Sequence, residues 1–226
     1  INAALDRLRE LPTIESAEFV VNPEGPEVLV SSKRPHRRLR ETFACTNASE
    51  DPKPHQFMFD GVPIVNGAFS QSSLLLNRML RDVVSRMALG ASSVLDLYCG
   101  NGNLSLGLPN GVRVLGLDYN KHAVQAAGAV GRGAYRPGDE AEFRRALAEK
   151  WDLILLDPPR IGAKNIAEAL AKSACDRIVY VSCDPATLAR DLKTLTAADW
   201  RVAEIVALDL FPNTPHIETV CRLERA

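Results

Sequence analysis

The residue in this chain with the most evident capacity for chemistry is Cys183, in the segment RIVYVSCDPATLARD from Arg177 to Asp191. Ile178-Val179-Tyr180-Val181 is a β-branched apolar run, which predicts a buried strand. It hands Ser182 and Cys183 to a turn, and Asp184-Pro185 then opens a helix through Asp191, with Asp as N-cap and Pro at the first helical position. A thiol at the positive end of a helix is expected to titrate below its ordinary value, toward the nucleophilic thiolate. A buried structural cysteine is the competing reading, and position alone does not separate the two.

Two further segments carry chemistry. Asp157-Pro158-Pro159-Arg160 closes an apolar run, Leu153 to Leu156, and its prolines stop the strand and present Asp157 rigidly at the ligand edge of a sheet. A strand-ending turn is the plainer reading, weakened by Cys183 on the neighbouring predicted strand. Arg160 stands where amino-group methylases of the (D/N)PP pattern carry an aromatic residue, which points to a different target atom. The other segment is Leu95-Asp96-Leu97-Tyr98-Cys99-Gly100-Asn101-Gly102-Asn103. Its glycines let backbone approach a ligand, and the N-terminus of the helix predicted to follow can receive a carboxylate or phosphate. The dinucleotide fingerprint needs Gly or Ala where this chain has Ser105, and it lacks an acid at the place of Asp96. Asp118, closing the next strand, is placed to accept hydrogen bonds from a ribose diol. Asp96, Gly100, Gly102 and Asp118 suit S-adenosylmethionine better than NAD, against a capping Asp and a tight turn as the alternative.

These segments need a scaffold. Ile1, Ala4, Leu5, Leu8 and Leu11 mark a short amphipathic helix, followed by strands Ala17–Asn22 and Glu27–Ser32 about the turn Pro23–Pro26. Lys33, Arg34, His36, Arg37, Arg38 and Arg40 form a basic run, read as a phosphate-contacting patch or, slightly preferred, a solvated loop. Pro52 and Pro54 punctuate a loop before a pair of short strands within Gln56 to Val65. Residues 1–65 therefore form a small α+β appendage, and residues 66–226 a larger domain. That domain opens with a helix from Ser72 to Met87 and then alternates. Strands are expected at 93–97, 113–117, 134–135, 153–156 and from Ile178, with helices at 120–129, 140–150 and 163–174 between them. Val202–Leu210 and Thr219–Leu223 are joined too closely for a parallel crossover, so they pair antiparallel. The fold class is α/β: a doubly wound, Rossmann-like, mostly parallel sheet with an antiparallel last strand, binding its ligands beyond the strands' carboxyl ends.

With 46% hydrophobic and 24% charged residues the composition is that of a soluble globular protein, and a net charge of -1 gives no global nucleic-acid signature. Any RNA role needs a local basic patch or a partner domain. No apolar run is long enough to span a membrane, and no secretory pattern is present. The five cysteines are scattered without a CxxC pair, which argues against a disulfide framework or a metal site and for a reducing, cytoplasmic setting. A first residue of Ile predicts a piece of a longer product.

Taken together, the chain resembles the RNA uracil-5-methyltransferase family, which methylates ribosomal or transfer RNA. The matching pieces are FSQSS (Phe69–Ser73), LDLYCGNGN (Leu95–Asn103), Asp118, Gly138-Asp139, LLDPPR (Leu155–Arg160), VSCDPATLARD and LFPNTPHIET (Leu210–Thr219), in the family's order. The resemblance implies S-adenosylmethionine as methyl donor, RNA as partner and no metal. It implies Cys183 as the nucleophile that adds to uracil carbon 6, and Glu218 as the base that removes the carbon-5 proton. Gln71, Tyr98, Gly100, Gly102, Asn103, Asp118, Asp139 and Asp157 are implied to line the cofactor site. Phe69, Asp157 and Arg160 are implied to meet the target base, taken out of its stack in an RNA loop or bulge. Asp184 stands where the family often has Asn, and Ser73, Asn213 and Pro215 are further departures. The N-terminal RNA-binding barrel and iron–sulfur cysteines of some members are absent from this sequence. A same-fold methyltransferase with another substrate and a non-catalytic RNA- or cofactor-binding relative are the alternatives.

Overall fold

The computed structural model describes residues 2–9, 11, 14, 16–32, 37–43, 53–214 and 216–226. It begins with α1 (Asn2–Arg9), the hairpin β1 (Glu18–Val21) and β2 (Val28–Ser31), α2 (Arg37–Phe43) and a second hairpin, β3 (Gln56–Phe59) and β4 (Val62–Val65). After α3 (Asn77–Met87) come β5 (Ser93–Leu97), β6 (Arg113–Asp118), α4 (Lys121–Ala129), β7 (Ala134–Pro137) and α5 (Glu140–Leu147). The chain closes with β8 (Trp151–Leu156), α6 (Ala167–Ala171), β9 (Cys175–Ser182), α7 (Pro185–Thr196), β10 (Trp200–Leu208) and β11 (Glu218–Arg225).

The last seven strands form one sheet in the order β10-β11-β9-β8-β5-β6-β7. Five of the pairings decide where ligands can go. β5 pairs parallel with both β6 and β8, and β8 pairs parallel with β9. β11 runs antiparallel to both β9 and β10, inserted between them as the short final connection requires. The chain runs outward from β5 to β7 and returns to β8 on the other side, so the direction of winding switches between β5 and β8. Crevices for ligands form beyond the carboxyl ends of strands at such a switch.

Both faces of the sheet are covered, which is why its central strands read as continuous apolar runs. Leu95, Leu97, Ile154, Leu156, Ile178 and Tyr180 pack with Phe143, Leu147, Leu170, Leu188 and Leu195 on one face. Val94, Leu153, Leu155, Val179, Val181 and Val220 meet Leu80, Val84 and Met87 of α3 on the other. The β3–β4 hairpin joins this body through Phe57, Phe59, Val62 and Ile64, which share a cluster with Leu74, Leu106 and Ala127. Leu11, Val30 and Leu39 make a smaller cluster of their own.

Several elements differ from the sequence reading. α3 starts at Asn77, not Ser72, because the preceding turn is held by Ser73, whose Oγ accepts from Leu76 N at 3.2 Å. The helix expected at 163–174 shrinks to Ala167–Ala171, since the Ala163 N–H is already committed to Tyr180 and Asp191. The helix expected after the glycine loop is a 3-10 turn, Ser105–Gly107, stopped by Leu108-Pro109-Asn110-Gly111, so no α-helix N-terminus faces a ligand there. Arg37–Phe43, read as part of a basic loop, is helical, while Lys33, Arg34, His36, Cys45, Pro52 and Pro215 lie outside the described residues. No helix among the described residues is long and apolar enough to cross a membrane.

Candidate active site

Strand register assembles the reactive pair. Thr219 of β11 faces Ser182 of β9, so the residues one step outward, Glu218 and Cys183, are brought side by side at the sheet's ligand edge. The adjacent strand, β8, ends at Leu156 opposite Tyr180, which sets Asp157 at the same edge. Glu218 is also anchored on its far side, opposite Leu208 of β10. It is 2% exposed, and its Oε1 has no hydrogen-bond partner among the described residues. Burial raises this carboxyl from about 4.5 to about 7. A strand-start glutamate looks like an edge residue in sequence; insertion of β11 between two neighbours is what buries it.

Cys183 is half-buried, and its thiol titrates above, not below, the ordinary value. Burial is the main cause, followed by the charges of Glu218 and Asp157; the positive charge of Arg160 opposes them. The helix end that was expected to lower it is already occupied. Asp184 Oδ1 accepts from Ala186 N and Thr187 N, both at 2.9 Å, so the first free donors of α7 serve that carboxylate. Asp157 keeps partial exposure, yet its carboxyl is raised well above the ordinary range by desolvation and then by Glu218, Asp96 and Asp118. Arg160 is exposed, with Nη2 3.5 Å from His216 Nε2, and the His216 ring packs edge-on against Phe211 at 6.0 Å.

The glycine loop forms the neighbouring wall. Asp118 Oδ2 accepts from Gly100 N at 2.9 Å and Oδ1 from Asn120 N at 2.7 Å, fastening the end of β6 to the loop after β5. Gly100 has φ +52°, and a Cβ there would meet nothing within 4 Å, so this backbone borders open space. Gly102, at φ +79°, is needed for another reason: a Cβ would come within 2.8 Å of Leu106. Tyr98 holds φ +58° without being glycine, and its ring packs edge-on against Phe143 at 4.9 Å. A non-glycine residue in that region stores strain of a kind that collects at functional sites. Asp96, 1% exposed, accepts from Ser105 Oγ with one oxygen, and its Oδ1 has no partner among the described residues. Burial raises its carboxyl to about 7.

Other expected cofactor residues have structural work to do. Asn103 and Asn77 exchange side-chain amide hydrogen bonds at 2.6 and 3.1 Å, tying the loop to α3. Asp139 caps α5 through Ala141 N and Glu142 N at 2.8 and 3.1 Å. Gln71 is buried and lines a cavity of about 470 Å³ between β1 and Ser70–Leu75. Phe69 is 78% exposed, a large ring held in solvent. Among the described residues no group of three His, Cys, Asp or Glu side chains is placed to hold a metal. Asp191 escaped the sequence reading as a site residue. The available signal was its place on the buried stripe of α7 with Leu188 and Leu195, where a carboxylate needs partners.

Residues 145–226 match the tRNA (uracil-5-)-methyltransferase family. An uncharacterized RNA methyltransferase of Thermotoga maritima is 33% identical over 226 residues, covering 96% of this chain and 49% of the relative. The 23S rRNA (uracil(1939)-C(5))-methyltransferase of Aeromonas hydrophila is 36% identical over 186 residues, covering 75% of this chain and 42% of the relative. The chain thus spans less than half the length of these curated relatives. Among solved structures, the tRNA (uracil-54, C5)-methyltransferase of Pyrococcus abyssi in complex with S-adenosyl-L-homocysteine superposes with a TM-score of 0.75 at 26% identity, over 97% of this chain and 66% of that one. With the sheet order, the glycine loop and the edge carrying Cys183 and Glu218 in view, these matches agree: the chain is similar to the RNA uracil-5-methyltransferases, through its C-terminal third to the family itself and through its fold to a solved member.

Proposed function

We propose that this chain carries the methyl-transferring part of an RNA uracil-5-methyltransferase, with Cys183 as nucleophile and Glu218 as base. The observation that carries the reading is the β9–β11 register, which sets thiol and carboxylate beside each other where the sheet opens. The carboxylates of Asp96, Asp118, Asp157 and Glu218 act on one another or on the thiol across this region. Such an acidic setting, with unpartnered buried oxygens on Asp96 and Glu218 and open space above Gly100, fits a sulfonium cofactor. Gly100, Tyr98 and Asp118 would hold S-adenosylmethionine, which supplies an electrophilic methyl group when bound.

The chain's own residues do the rest. Carbon 5 of uracil is a weak nucleophile until a thiolate adds at carbon 6. The Cys183 sulfur forms that bond, and the electron pair of the 5,6 double bond moves toward carbon 5 and the carbon-4 oxygen, preparing carbon 5 to accept a methyl group. Glu218 then takes the carbon-5 proton, the double bond re-forms, and Cys183 leaves as thiolate. A carboxyl held near pH 7 is well matched to accepting that proton at neutral pH. Arg160, whose positive charge favours the thiolate, steadies the anionic form of the leaving sulfur.

The test uses RNA containing 5-fluorouridine, whose carbon 5 carries no removable proton after methylation. Incubation with S-adenosylmethionine should trap a protein–RNA adduct that maps to Cys183. Cofactor binding with no adduct on 5-fluorouridine-containing RNA would overturn the reading. Asp118→Ala should loosen the glycine loop by stripping acceptors from Gly100 N and Asn120 N. Loss of about 1 kcal/mol for each of these partly buried hydrogen bonds implies a roughly fivefold or larger rise in cofactor Kd. Isothermal titration measures it, with Cys183→Ala as a control that binds cofactor normally.

A further inference from the structure

Asp191 is 3% exposed, and its partners converge from one turn, one strand and its own helix. Oδ2 accepts from Ala163 N and from Tyr180 Oη, both at 2.7 Å. Oδ1 accepts from Arg190 Nε and Nη2 at 2.9 and 2.8 Å, and Arg190 Nη2 also donates to the Ile161 carbonyl at 2.7 Å. These bonds grip the far end of the turn Pro159–Gly162, which is closed by Gly162 N donating to Pro159 O at 2.7 Å. Gly162 sits at φ +75°, and a Cβ there would lie 2.5 Å from both Arg190 Nη2 and Asp191 Oδ2, so the clamp closes directly over bare backbone. The near end of the turn is stiffened by Pro158-Pro159. Arg160 lies between the two fixed ends, and its Nη2 stands 3.5 Å from Nε2 of His216, two residues before the Glu218 that the strand register sets beside Cys183.

We propose that Asp191, acting with Tyr180 and Arg190, is a positioning residue for the nucleophile: it sets the Pro159–Gly162 turn so that Arg160 stands against Cys183. The inference rests on the reading of Cys183 as nucleophile. The charged groups that act on that sulfur are Glu218 from β11, set beside it by the strand register, Asp157 from the end of β8 and Arg160 from the turn. Asp184, next in sequence, is committed to the cap of α7, and His216 lies against Arg160. Arg160 is the cation that offsets the facing carboxylates, so a turn released from its clamp leaves the thiol facing anions alone.

The experiment follows alkylation of Cys183 by iodoacetamide against pH, resolved by peptide mass spectrometry, without RNA or cofactor. Tyr180→Phe and Asp191→Asn are each expected to slow alkylation at pH 8 by about three- to tenfold, since a tenfold change in ionisation corresponds to one charge-assisted interaction. Arg160→Gln should slow it equally, and Arg160→Gln with Asp191→Asn should be no slower than Arg160→Gln alone. Removal of the Asp191 charge acting directly through space would instead speed thiolate formation, so the sign separates positioning from simple electrostatics. Wild-type titration in both Tyr180→Phe and Asp191→Asn, or additive slowing in the double variant, would overturn the proposal. Tyr180→Phe retains the buried ion pair and decides the matter if Asp191→Asn does not fold. Failure of the nucleophile reading looks different: the alkylation profile responds as described, yet no RNA adduct forms at Cys183.

Discussion

Replacing Cys183 with alanine is expected to reduce methyl transfer to uridine by about 10⁴-fold or more, to background, while leaving the fold and cofactor affinity intact. Loss of the nucleophile removes the addition at carbon 6 that makes carbon 5 reactive, and deletions of catalytic nucleophiles elsewhere cost on that order. The side chain is half-buried at a strand end and outside the main apolar clusters, so its removal leaves those clusters complete. Cys183→Ser should be nearly as inactive, because a hydroxyl is a far weaker nucleophile than a thiolate. Single-turnover transfer of a radiolabelled methyl group to RNA measures both. Retention of even a hundredth of the wild-type rate in Cys183→Ala would mean that the sulfur is not the attacking atom.

The second large effect belongs to Glu218. Glu218→Gln keeps the shape of the side chain and cannot accept the carbon-5 proton. Turnover should fall about 10²–10⁴-fold, the usual range for loss of a positioned base. The stall should come after methylation, with RNA still attached through Cys183, so that denaturing gels show an adduct with ordinary uridine. In the wild-type protein, proton removal requires the ionised carboxylate, so its rate should rise with pH through about 7 and level off above. Stability should move the opposite way. A carboxyl raised in the folded state from about 4.5 to about 7 favours folding fully below pH 4.5, and that advantage is lost as pH rises through 7. The cost of ionising it in place is on the order of 3 kcal/mol at pH 8. Glu218→Gln should therefore melt at a higher temperature than wild type at pH 8 and near it at pH 5, a trade of stability for function. Equal melting temperatures at both pH values would show that this carboxylate is not buried without compensation.

The sequence by itself determined the order of strands and helices, the antiparallel hairpin at the end and the segments that gather at the ligand edge. Those features depend on local physics: β-branched runs, Pro-Pro stops, Asp caps and a connection too short for a crossover. It also singled out Cys183 and Asp118 as candidates, the first standing just past the end of β9 and the second closing β6. Only the tertiary structure decided their electrostatics. The helix N-terminus expected to acidify Cys183 is spent on Asp184, and β11 places Glu218 opposite the sulfur, so a thiol predicted to titrate low titrates high. Asn103 and Asp139 matched the family pattern, but long-range pairing with Asn77 and a cap on α5 give them structural partners that no local signal revealed. Asp191 shows the same limit. Its place on an apolar helix stripe says that a partner must exist, whereas which backbone it holds depends on how β9, α7 and the turn after β8 meet in space.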